Sequence, residues 1–127
     1  MKKDKTGSFS IQADLSQQEE IKKMVENTIG KLSFPDCIIN NAGIAESADI
    51  SLDINDWSKM FDKTIDVNLK APSLIFKEFL RYKREKKINS RLRIINIASR
   101  AAFRGEQQDY ISYACSCLLY TSPSPRG

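Results

Sequence analysis

Polar and apolar positions change their period several times along the chain. Residues 8–14, SFSIQAD, alternate between apolar and polar types, the period-two pattern of a strand, and lead into Asp14-Leu15. Ser16 stands three residues before Glu19, the capping-box spacing that starts a helix. Ile21, Met24, Val25, Ile29 and Leu32 then recur at helical spacing as one apolar stripe, and Gly30 and Pro35 bound its C-terminal end. Asp36-Cys37-Ile38-Ile39-Asn40 is a compact apolar run that predicts a second strand, closed by Asn41-Ala42-Gly43. Beyond a loop of small and acidic residues, Asp53 is placed to cap a helix whose face is Trp57, Met60, Phe61 and Ile65. A long helix is predicted from about Asp66 to Lys87, interrupted by Pro72. Leu92 to Ile97 predicts a third strand, residues 99–109 an irregular loop, and Tyr110 to Ser116 the start of another helix.

Apolar strands separated by crossover helices indicate an α/β fold with a parallel sheet, and no internal repeat interrupts that order. In an open sheet of this kind, ligands sit beyond the carboxyl ends of the strands. Asp14, Asn40, Asn41, Gly43 and Ser99 all fall at those ends or just after them, so they are expected to line one crevice. The pattern stops abruptly at residues 117–127, where two Ser-Pro steps forbid a helix and no apolar face continues. The expected division is therefore a partial nucleotide-binding domain over 1–116 and a non-native or disordered tail over 117–127.

Composition narrows the chemistry. The chain has 127 residues, the length of one domain, with 41% hydrophobic and 28% charged residues. No apolar run approaches the ~18 residues that cross a bilayer, and the lysines near Met1 precede no apolar stretch of the signal-peptide kind. Three cysteines, Cys37, Cys115 and Cys117, give no even disulfide framework, and a cytoplasmic location is expected. Histidine is absent, which excludes Ser-His-Asp and Cys-His nucleophile pairs and all histidine metal sites. Tyr, Ser, Lys, Asp, Glu and Cys are left to carry any reaction. The net charge of +4 is local: residues 81–93 hold seven basic and one acidic side chain, leaving 13 basic and 15 acidic elsewhere.

Pro72 adds a mechanical argument. It has no N–H, so the carbonyl four residues earlier, that of Asn68, loses its helical partner at a bend.

Asp14-Leu15, IINNAG (38–43), DVNL (66–69), RIINIAS (93–99) and Tyr113 with its Y-x-x-S pattern occur in an order that resembles the short-chain dehydrogenases/reductases. The resemblance spans roughly residues 8 to 116, each motif sitting at a strand end or on the appropriate helix. It implies an incomplete Rossmann-like, doubly wound parallel sheet, of which this chain supplies the third, fourth and fifth strands with their helices. It also implies NAD or NADP as cofactor and a small carbonyl or alcohol as substrate. Asp14 and Leu15 would contact adenine, and Asn40, Ala42 and Gly43 would pack against the cofactor ribose. Asn68 would hold a water through its carbonyl, Ser99 would orient the substrate oxygen, and Tyr113 would be its general acid/base. Tyr110 competes for that last place. Glu46 and Arg104 lie near the expected crevice mouth. The intact family member is expected to be a homo-oligomer.

Two departures from the family pattern bear on activity. The family has Lys four residues after the tyrosine, where this chain has Cys117. Its phosphate-cradling glycine turn has no counterpart among Gly7, Gly30, Gly43, Gly105 and Gly127. The family sheet order, 3-2-1-4-5-6-7, would leave two strands missing between the first two supplied here, with open edges. The chain as written is therefore expected to be inactive and, alone, partly folded or prone to aggregate. The alternatives are a pseudoenzyme or interaction protein on the same fold, or an anionic-surface or nucleic-acid binder through 81–93. Charge runs are usually solvated surface, so neither a nucleic-acid nor a membrane partner is expected.

Overall fold

A computed structural model of the chain describes residues 2–3, 7–101 and 107–118. The expected tail beyond Leu118 and Arg104 lie outside the described residues. The strands are β1 (Lys2–Lys3), β2 (Phe9–Ser10), β3 (Cys37–Asn40) and β4 (Arg93–Asn96). The helices are α1 (Gln18–Leu32), α2 (Ile54–Ile65), α3 (Ala71–Glu85) and α4 (Ile111–Leu118). A π-helical turn over Asp66–Lys70 joins α2 to α3, and a 3-10 turn over Gln108–Tyr110 precedes α4.

β3 and β4 pair in parallel, with Ile38 beside Ile94, Ile39 beside Ile95 and Asn40 beside Asn96. Backbone bonds continue the ladder at both ends, from Arg93 N to Asp36 O and from Ile97 N to Asn40 O, each 3.0 Å. The expected strand over 8–14 is shortened to β2, which pairs antiparallel with β1 rather than joining the parallel sheet. The reason is a missing neighbour: a strand forms only where another chain segment satisfies its N–H and C=O groups. Beside β2 that segment is Lys2–Lys3, and Gly7, with φ +87°, adopts the left-handed backbone conformation that glycine tolerates.

The core lies where α1 meets α3. Ile21 and Val25 of α1 pack with Ala71, Ile75 and Phe79 of α3, and Leu15, Ile38 and Leu92 close around them. Phe34 meets Phe79 edge-on at 6.1 Å and stacks on Tyr82 at 6.4 Å. Leu32, expected on the buried stripe, is instead half exposed because α1 ends there.

The predicted capping box at Ser16 does not form. Gln17 is the cap residue and makes no side-chain cap. The Ser16 hydroxyl and N–H both donate to Asp14 Oδ1, at 2.7 and 2.9 Å, so Ser16 belongs to the turn before the helix, whose cap position falls one residue later. Glu20 rather than Glu19 reaches back, accepting from Asp14 N–H at 2.6 Å. The cap expected at Asp53 does form: its Oδ1 accepts from Asn55 N–H at 2.8 Å and Asp56 N–H at 3.3 Å.

The predicted helix from Asp66 to Lys87 is two geometries in sequence. Ala71 N–H bonds back to Asp66 O, five residues away, and the wider turn brings Pro72 into the first turn of α3. The backbone is helical on both sides of the junction, so Pro72, which has no N–H to give, sits where the wider turn interrupts the regular helical hydrogen bonding. π turns inside helices recur at functional sites, and this one carries Asn68.

Much of the basic run belongs to the helix surface. Arg81 donates to Glu78 and to both carboxylate oxygens of Glu85, and Lys83 Nζ donates to Ile88 O at 2.6 Å. Among the described residues no helix is long and apolar enough to cross a membrane, and no group of His, Cys, Asp and Glu side chains could hold a metal ion.

Candidate functional site

A cleft of about 360 Å³ opens beyond the carboxyl ends of β3 and β4. Asn40, Ala42, Gly43, Asn68, Ser99 and Tyr113 all line it, although 73 residues separate the first from the last. Tyr110 does not line it, which separates the two competing tyrosines. The mechanism of convergence is topological: two parallel strands deliver their ends side by side, the π turn approaches from below, and α4 closes one wall.

The strand ends are tied together by their own side chains. Asn40 Nδ2 donates to Asn96 Oδ1 at 2.8 Å across the parallel pair. Asn96 was not expected at the site, yet a signal for it exists. CIIN and RIIN are two copies of one strand ending, and their register places the asparagines opposite each other.

Asn68 is the structural centre of the cleft. It is 7% exposed, and its side-chain amide forms a reciprocal pair with the backbone of Ile44. Oδ1 accepts from Ile44 N–H and Nδ2 donates to Ile44 O, both at 2.8 Å. Nδ2 also donates to Ser116 Oγ at 3.0 Å. Sequence reasoning had pointed to the Asn68 carbonyl; the side chain has a separate task, holding the loop after β3. Gly43 permits it: a Cβ there would sit 3.3 Å from Asn68 Oδ1, tight enough to push the amide away. The requirement at Gly43 is thus room for Asn68, as φ is not in the left-handed region there.

Ser99 Oγ accepts from Ala101 N–H at 3.3 Å, and its own proton is not donated among the described residues. The Tyr113 hydroxyl likewise makes no hydrogen bond among the described residues, and its ring packs against Ala101 and Cys117. Cys117 lies inside α4, 7% exposed, and lines the cleft one turn beyond Tyr113, so the expected domain boundary falls within a helix.

Asp14 and Leu15 are away from this cleft. The Asp14 carboxyl is exposed and held below its ordinary carboxylate range by hydrogen bonds from the Ser16 hydroxyl and N–H. Leu15 lines an apolar hollow of about 330 Å³ between α1, α3 and β3, which shares Asn40, Asn41 and Ala42 with the cleft. The two spaces meet at the loop after β3. Glu46 is paired with Lys63 at 2.6 Å.

Residues 1–117 match the short chain dehydrogenase family, and the chain belongs to it. It is 29% identical over 117 residues to a 3-oxoacyl-[acyl-carrier-protein] reductase of Synechocystis sp., covering 90% of this chain and 44% of that protein. Among solved structures it is similar to a 4-hydroxyisoleucine dehydrogenase complexed with NADH, with 34% identity and a TM-score of 0.68. That match covers 86% of this chain and 45% of the other. It is also similar to a blue fluorescent protein from a metagenomic library in complex with NADPH, with 26% identity and a TM-score of 0.69, covering 87% and 41%. The chain spans less than half the length of the curated relatives it matches. Its architecture is accordingly part of a Rossmann-like sheet, as its strand order implied.

Proposed function

We propose that the cleft receives the nicotinamide half of NAD or NADP, and that the chain is a portion of an oxidoreductase acting on a small carbonyl or alcohol. The observation that carries this reading is the convergence of Asn40, Ala42, Gly43, Asn68, Ser99 and Tyr113 on one cleft. Its size lies within the range of small-molecule sites, about 300–1,000 Å³. Exposed Asn41, Ala42 and Gly43 offer backbone at its rim, and Gly43 carries no Cβ to crowd the bend. A dinucleotide bound there would supply hydride transfer.

The chain's own residues handle the proton. The Tyr113 hydroxyl donates to, or accepts from, the substrate oxygen, and the Ser99 hydroxyl donates a hydrogen bond that orients the same atom. Asn68 holds the loop floor, and Asn40 with Asn96 keeps the two strand ends together. Leu15, which lines the adjoining hollow, and its neighbour Asp14 are proposed for the adenine end.

Cys117 is the reason to expect poor turnover. A free tyrosine ionises near ~10, and a cation alongside favours the phenolate. Cys117, one turn from Tyr113, is a thiol, and among the described residues no lysine lines the cleft. As written the chain is proposed to bind the nicotinamide portion weakly and not to turn over. Cys117 also favours the second reading, a pseudoenzyme that keeps the cleft without the reaction.

Reduced nicotinamide mononucleotide tests the binding claim, because it needs neither an adenine nor a pyrophosphate site. A fluorescence titration should give a dissociation constant of about 1 mM, weakened severalfold in Gly43→Val. No change in nicotinamide fluorescence at ten times that concentration would overturn the reading.

A further inference from the structure

Ser116 and Ser112 share α4, one turn apart, and both are fully buried, at 0% and 1% exposure. Their surroundings are opposite. Ser112 Oγ has no hydrogen-bond partner among the described residues. Ser116 Oγ donates to Tyr113 O at 2.7 Å and accepts from Asn68 Nδ2 at 3.0 Å. A serine hydroxyl has one proton, and here it is directed at the carbonyl of Tyr113, which leaves a lone pair facing the amide.

The connections beyond Ser116 form an unbroken chain. Tyr113 O is joined to Ser116 Oγ, Ser116 to Asn68 Nδ2, and Asn68 to both backbone groups of Ile44. Three segments that the sequence keeps far apart are thus joined: α4 to the π turn by the Ser116 hydroxyl, and the π turn to the loop after β3 by the Asn68 amide. Each link is buried or half-buried, where an unmade hydrogen bond is costly and a made one has directional force.

We infer that Ser116 is a positioning residue for the cleft: through Asn68 it sets the height of α4, and with it Tyr113, over the loop that ends in Ile44. This rests on the nicotinamide reading for its functional consequence, but the linkage itself does not. Ser116 acts through Asn68 and Tyr113 and needs no contact with substrate.

A helix-forming role alone makes the opposite prediction. Alanine is a better helix former than serine, so Ser116→Ala should leave α4 as stable or more so. The positioning role predicts a loss instead, because Asn68 Nδ2 keeps a buried proton without its acceptor. Ser112→Ala is the internal control: it removes a buried hydroxyl without a partner from the same helix, and should be neutral or stabilising.

The experiment is residue-resolved hydrogen exchange on the full chain at low micromolar concentration, with and without reduced nicotinamide mononucleotide. The Ile44 amide, the donor to Asn68 Oδ1, should exchange about tenfold faster in Ser116→Ala than in the parent chain, the scale of one lost buried hydrogen bond. Ser112→Ala should match the parent. Added mononucleotide should slow exchange over 41–45 in the parent and in Ser112→Ala, but several times less in Ser116→Ala. Equal Ile44 exchange in all three proteins would overturn the inference, as would faster exchange with undiminished protection by the mononucleotide. If the mononucleotide protects none of them, the nicotinamide reading and the positioning role both fall, and the Ile44 rates alone still decide the linkage.

Discussion

The corner around Asn68 and the outer face of the β3–β4 sheet are built from the same strands and lie close together, yet they are finished very differently. At the corner the buried amide of Asn68 meets Ile44 and Ser116, and Asn40 meets Asn96. On the outer face Ile39, Ile95 and Ile97 are 61%, 46% and 53% exposed, large apolar side chains against water. The opposite face of the same sheet sends Ile38 into the α1–α3 core. A strand of a doubly wound sheet is apolar on both sides because it expects a cover on both. Here one cover is present, from α1 and α3. The site corner, by contrast, is closed by local loops and one short helix. A polar network can therefore be complete where the surrounding sheet is not.

The sharpest way to break this comparison is through the covered face. Phe79→Ala removes the largest buried ring of the α1–α3 core and should cost about 3–5 kcal/mol. Helical circular dichroism under denaturant checks it; a midpoint close to the parent's would mean that α1 and α3 do not form the stable part. Asn68→Ala should cost less, about 1–3 kcal/mol, by leaving Ile44 N–H and Ser116 Oγ without their partner. Its signature is local: exchange at Ile44 should accelerate more than exchange within α1.

A smaller effect is expected from acid. The Asp53 carboxyl is held below its ordinary range by the N–H groups of Asn55 and Asp56, and Glu78 by hydrogen bonds from Lys77 and then Arg81. A carboxyl with a lowered folded value contributes stability that is complete above its unfolded value, about 4. That contribution is lost as pH falls through the lowered one. Stability should therefore decline from about pH 5 downward, and Asp53→Ala should make the decline shallower. A parent chain whose denaturation midpoint is flat over that range would remove these caps from the account.

The smallest change in stability should come from the exposed face. Ile39→Lys with Ile95→Lys should alter folding by no more than about 0.5 kcal/mol each, while reducing self-association. The open edge of β3 and this apolar surface predict that the isolated parent chain associates or unfolds broadly. Light scattering during a thermal ramp reads both, and a sharp cooperative transition of a monomer would sink that prediction.

How much of this was legible beforehand differs element by element. α1, α2, β3 and β4 follow from apolar period and from the cap at Asp53, because those signals are local. The Ser16 capping box is a local signal that failed: the helix starts one residue later, with Gln17 at the cap, and Ser16 bonds back to Asp14 in the preceding turn. The strand over 8–14 failed for the reason that strands generally do: its pattern states which face is apolar and not which partner is present.

At the site, strand-end positions marked Asn40, Gly43 and Ser99, the Pro72 bend marked Asn68, and the family resemblance marked Tyr113. The periodicity of each segment is a property of the chain alone, as is the bend that Pro72 imposes. Which hydroxyl would reach which amide was decided only in three dimensions. Ser112 and Ser116 are serines four residues apart, and nothing in the sequence tells which of the two finds a partner. Helical rotation and the approach of the π turn give one of them Asn68 and leave the other without a partner among the described residues. A hydrogen bond needs its two atoms within about 3 Å, and across 48 residues of sequence only the folded chain fixes that distance.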